Sequence, residues 1–98
     1  MQNHTKVYMN FFGYGEQDFI PCEMCGGRAV DIHHIEKRNK TKNDYIENLI
    51  ALCRDCHINA ESDKSFNSYC RIQHLELVCV QVYALINLNK KLNESRKK

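Results

Sequence analysis

The chain has 98 residues, 43% of them apolar and 27% charged, with a formal net charge of +2. That length allows one domain (1–98), the composition is that of a globular protein, and no apolar run approaches the roughly 20 residues needed to cross a bilayer. Bulk charge this small does not by itself identify a polyanionic partner, so such a partner must be read from where the charges lie.

The opening residues, Met1 to Lys6, are polar and contain no charged segment followed by an apolar core. No secretory signal is expected, and the six cysteines should stay reduced in a cytoplasmic setting. Lys6 to Ile20 is apolar and aromatic, interrupted by Gly13 and Gly15 and stopped by Pro21. It reads as a short helix or strand plus loop. Cys22 to Gly27 reads as a metal knuckle, in which glycines after Cys-x-x-Cys permit a tight turn. Arg28 to Ile35 is a strand candidate.

Glu36 to Glu47 is polar and basic, with Asn39, Asn43 and Asp44 as turn formers, and is expected to be an exposed loop. Leu49 to Leu52 fits a second strand, and a helix should begin near Asp55 or Cys56. Ser65 to Asn93 is the longest periodic segment, with a helix expected over about 66–92. Leu75, Val78, Val82, Leu85, Asn89 and Leu92 form a short heptad seam, read first as a face packed on the core and second as a homodimer contact. Cys70 and Cys79 fall in this helix, where a free cysteine acts as a small buried hydrophobe.

Two Cys-x-x-Cys pairs, Cys22 with Cys25 and Cys53 with Cys56, suit one tetrahedral structural zinc that clamps two distant segments. A disulfide scaffold is disfavoured by the missing signal and the paired spacing, and a thiol-exchange protein by the lack of a βαβ context. Four thiolates and one dication would bring the net charge close to zero. Lys37, Arg38, Lys40 and Lys42 form one basic cluster, and Lys90, Lys91, Arg96, Lys97 and Lys98 another. Each fits phosphate contact or a solvated surface.

The order Cys-x-x-Cys, Asp31-Ile32-His33-His34-Ile35, Glu47-Asn48-Leu49 and Leu52-Cys53-x-x-Cys56-His57 resembles the HNH endonuclease family, the ββα-metal (His-Me finger) nucleases. The resemblance covers Cys22 to about Glu61, a motif core of 22–61, and its specificity comes from four cysteines, His, Asn and His in one order. It implies an α+β fold, a zinc-stapled two-stranded hairpin with a helix, to which the periodic segment adds a long C-terminal helix. It also implies a metal-dependent endonuclease that cuts DNA phosphodiesters, leaving 5′-phosphate and 3′-hydroxyl ends.

Carried over by residue, His33 and His57 take the positions of ligands to a catalytic divalent metal, with magnesium, manganese, nickel and zinc all open. His34 takes that of the general base, and Asn48 that of the amide that orients the loop. Glu61, four residues after His57, is a candidate third ligand or an exposed helical carboxylate. Asp31 would support His33 or face solvent, while His4 and His74 receive no role. Adjacent strand residues face opposite ways, so His33 and His34 reach one phosphate only if one leaves the pleat.

The loop lacks the glycine pair often found before the Asn in this family, and no sequence-reading module is visible. The expected activity is therefore on duplex DNA with low intrinsic specificity, any site preference coming from the basic loop, from the terminal helix or from a specificity-providing protein partner. The competing class is a non-catalytic zinc module that binds DNA or protein.

Overall fold

The computed structural model describes residues 2–38 and 43–96. Asn39, Lys40, Lys42, Lys97 and Lys98 lie outside them. Helix α1 spans Asn3–Phe12 and ends at Gly13, whose φ of 75° is the left-handed conformation that a residue without Cβ adopts freely. The helix begins before Lys6, where the apolar segment starts. Strands β1 (Asp31–His34) and β2 (Leu49–Leu52) pair antiparallel, joined through a 3-10 turn at Ile46–Asn48. Helix α2 (Arg54–Ser62) follows, and after Asp63 helix α3 runs over Lys64–Arg96. Asp63 Oδ1 accepts from the N–H groups of Ser65 (2.9 Å) and Phe66 (3.2 Å), satisfying two of the donors left free where α3 begins.

Strand β2 is the centre of the molecule. All four of its residues are fully buried, so it reads as a continuous apolar run rather than an alternating one. Alternation along the strand sends Ile50 and Leu52 into a cluster with Cys22, Ile35, Ala60 and Cys70. It sends Leu49 and Ala51 into a second cluster with Tyr8. The register pairs His33 with Ile50 and His34 with Leu49, and cross-strand partners share a face. His33 is thereby committed to the α2–α3 side of the sheet and His34 to the α1 side.

Helix α3 packs through Cys70, His74 and Val78, all buried at four-residue spacing. Gln81 Nε2 on α3 donates to the Phe11 carbonyl of α1 at 3.2 Å. The heptad seam is not the packed face: only Val78 belongs to both, while Leu75, Val82, Leu85 and Leu92 are exposed. A helix of this length extends about 50 Å, the body beneath it is shorter, and the remainder projects. Cys70 meets the buried-hydrophobe expectation, with burial first and then the neighbouring Cys22 and Glu23 pushing its thiol up to about 11. Cys79 does not, being exposed beside Leu75 and Val80.

Candidate active site

The two cysteine pairs converge. Gly26, at φ 81°, lets the first knuckle reverse, and its N–H donates to the Cys22 carbonyl at 2.9 Å. The second knuckle is built into a helix start, because Cys53 is the N-cap of α2 and its Sγ accepts from the Cys56 N–H at 3.4 Å. One Sγ from each of Cys22, Cys25, Cys53 and Cys56 lies within 4.8 Å of the others, and Cys25 Sγ is 3.7 Å from Cys53 Sγ. Tetrahedral zinc with bonds of ~2.3 Å places its sulfurs about 3.8 Å apart, so the cluster fits that ion.

The electrostatics agree. Burial opposes the Cys22 thiolate, but N–H groups of Cys53, Cys25 and Met24 donate to it and bring the thiol down to about 7. Cys56 is pushed up, first by burial and then by the sulfurs of Cys53 and Cys22. Four crowded sulfurs do not all ionise without a shared cation.

A second cluster forms where β1 meets α2. His33, His57 and Glu61 bring one ligating atom each within 4.8 Å of one another, and the two imidazole centroids are 4.9 Å apart. His57 Nδ1 lies 2.9 Å from Asp31 Oδ2, so Nδ1 carries the proton and the Nε2 lone pair is free for a ligand. That Nε2 faces Glu61 Oε1 at 2.8 Å. Two lone pairs so disposed repel unless a proton or a cation lies between them, and a divalent ion fits the donor set of two imidazoles and a carboxylate.

His33 is held by a residue from α3. Asn67 Nδ2 donates to the Ile35 carbonyl at 2.8 Å, which turns Oδ1 towards His33 Nε2 at 2.9 Å. Burial outweighs this bond and holds His33 below the ordinary histidine range, favouring the neutral form that can ligate. Asp31 supports His57 rather than His33. Residues two apart on a strand share a face, and Asp31 and His33 both look towards α2.

His34 faces the other way, with Nε2 2.7 Å from Asp44 Oδ1. The Asp44 carboxyl is 5% exposed, and its bond to His34 first, then that from Asn3, hold it below the usual carboxylate range. Donating at Nε2 leaves the other ring nitrogen, Nδ1, with the lone pair. The two histidines nevertheless line one cavity of about 630 Å³, together with Lys37, Arg38, His57, Glu61, Lys64 and Asn67.

Asn48 closes the loop above this cavity. Its Oδ1 accepts from the Glu36 N–H at 2.7 Å, and its Nδ2 donates to the carbonyls of Glu36 (3.0 Å) and Asn43 (3.2 Å). Of the basic loop residues, Lys37 and Arg38 line the cavity. Lys40 and Lys42 lie outside the described residues. Sequence reasoning missed Asn67 and Lys64, and it took Asp44 for a turn former only.

His74, assigned no role, is fully buried. Its Nδ1 is 2.9 Å from Glu23 Oε1 and its Nε2 2.6 Å from the Ile46 carbonyl. Tyr8 also donates to Glu23, at 2.6 Å. This network ties α1, the first knuckle and α3 together and lies apart from the cavity.

Residues 22–63 match the family model described as HNH endonuclease. No curated protein and no solved structure matches the chain.

Proposed function

We propose that this chain, whose residues 22–63 belong to the HNH endonuclease family, is a single nuclease domain that hydrolyses DNA phosphodiester bonds with one catalytic divalent ion and one structural zinc. The observation that carries the reading is the convergence of His33, His57 and Glu61 in a cavity that His34 also lines. Such an ion would polarise the scissile phosphate and stabilise charge on the leaving oxygen.

The remaining work falls to side chains. His34, with Nε2 engaged by Asp44, takes a proton from the attacking water at Nδ1. Asn48 holds the loop at Glu36 and so fixes where β1 ends and His34 begins. Lys37, Arg38 and Lys64 at the cavity contact phosphates with a salt-dependent, sequence-independent affinity. This fits cleavage of duplex DNA at low intrinsic specificity, with a protein partner supplying any preference.

No helix among the described residues is long and apolar enough to cross a membrane, and the free thiols fit a reducing cytoplasm. The projecting half of α3, with Val82, Leu85 and Leu92 exposed, is read as the contact with a second copy.

The deciding experiment is plasmid nicking with magnesium, manganese, nickel or zinc. Activity in the wild type that vanishes in His34→Ala, at unchanged zinc content and helicity, is expected. DNA binding without nicking under every ion would replace the enzyme by a non-catalytic zinc module.

A further inference from the structure

The α1 side of β1 carries a further set of ligating groups. His4 on α1 lays its ring against that of His34, with centroids 4.8 Å apart and planes inclined at 56°. His34 Nε2 is 2.7 Å from Asp44 Oδ1. One ligating atom from each of His4, His34 and Asp44 lies within 4.8 Å of the other two, the same closeness that joins His33, His57 and Glu61. The three come from α1, from β1 and from the segment before the 3-10 turn, so only the tertiary fold assembles them.

The surroundings leave the ligating atoms available. Asn3 Nδ2 donates to Asp44 Oδ2 at 3.1 Å, and Arg38 Nη2 approaches the same oxygen at 4.0 Å, which keeps Oδ1 turned towards the imidazoles. All three side chains are partly buried.

We propose that His4, His34 and Asp44 form a second metal site, for a transition ion of the zinc, cobalt or nickel kind, whose filling silences the base. Two imidazoles and a carboxylate suit such ions, whereas magnesium prefers oxygen donors and keeps its waters. The ion takes the Nε2 lone pair of His34 in place of the hydrogen bond to Asp44 Oδ1, and the neutral ring then carries its one proton on Nδ1, which leaves no lone pair there to accept a proton from water. The inhibitory half rests on the reading of His34 as base, but the binding half does not.

The test uses the full chain with zinc on the four cysteines and with His57→Ala to disable the other cluster. Equilibrium dialysis against cobalt(II) should find one further ion per chain. Adding either His4→Ala or Asp44→Ala should abolish it with circular dichroism unchanged. No further ion, or one that survives both additions, overturns the site. In nicking supported by cobalt(II) alone, raising the ion concentration until the second site fills should lower wild-type activity about a hundredfold, the scale of a lost general base, and leave His4→Ala active at the same concentrations. Equal inhibition of both proteins overturns the inhibitory role. Absence of nicking in every protein would sink the nuclease reading instead, and the ion count would still decide the site.

Discussion

Asp31, the first residue of β1, accepts a hydrogen bond from His57 Nδ1 at 2.9 Å, so a strand carboxylate sets which nitrogen of a helix imidazole stays free. Arg54 Nη2 stands 3.6 Å from the same oxygen and does not displace the contact. Asp31→Asn should therefore weaken divalent-ion binding at His33, His57 and Glu61 by about 10–100-fold, the usual effect of losing a partner behind a ligating histidine. Calorimetric titration with manganese on zinc-loaded protein measures it, and unchanged affinity would show that the ring is held by packing alone.

Asn48 is 1% exposed and makes three hydrogen bonds to the loop backbone. Asn48→Ala strands a donor and two acceptors, and a stability loss of about 1–3 kcal/mol is expected in urea unfolding. Asn48→Asp keeps the bond to the Glu36 N–H but turns a buried carboxylate oxygen towards the carbonyls of Glu36 and Asn43, so its loss should be at least as large as that of alanine. A cost near zero for both would mean that the loop stands without the amide.

Much of this arrangement was legible from spacing, and the limits of that reading are physical. Paired cysteines, and the four-residue step from His57 to Glu61, are local relationships that a turn or a helix enforces by itself. Asp44 is ten residues from His34 in a segment whose composition signals only a turn, and the fold alone makes it a partner. Asn67 on α3 and His4 on α1 belong to elements outside the motif and arrive by packing. The heptad seam marked α3 as helical, but periodicity does not say which face a body will cover. The body took Cys70, His74 and Val78.

Acidification should act on the cation cluster in a defined direction. Burial holds His33 below the ordinary value of about 6.5, so between its folded value and that pH the unfolded chain binds more protons. Its contribution to stability is complete above about pH 6.5 and is lost as pH falls through the lower, folded value. Urea midpoints from pH 8 to pH 5.5, taken for the wild type and for His33→Asn, isolate it. The wild type should lose more over that interval, and parallel curves would contradict the burial argument.

The Glu23–His74 pair should be among the most sensitive points for folding. The two side chains are 4% and 0% exposed, and both imidazole nitrogens face acceptors. Glu23→Ala leaves the ring and the Tyr8 hydroxyl without their shared partner, and a loss of about 3 kcal/mol or more is expected. Thermal unfolding with zinc bound checks it. Retention of wild-type stability would imply that water replaces the carboxylate.

Removing the structural ion should unfold the motif. With the four sulfurs released, two crowded segments lose their common anchor, and small zinc domains owe about 10 kcal/mol or more to the metal. Chelation should abolish most helical dichroism from α2 and expand the chain in size-exclusion chromatography. A compact, helical chelated protein would reduce the cysteines to a minor support.

Cys53 caps the helix that bears His57 one turn later and Glu61 two turns later. One short rod thus connects the cysteine cluster with His57 and Glu61, with no pliable joint between them, and at ~1.5 Å of rise per residue little positional error can accumulate along it. The alignment of His57 and Glu61 is inherited from the sulfur anchor, so any shift of the cysteine clamp is carried directly to them.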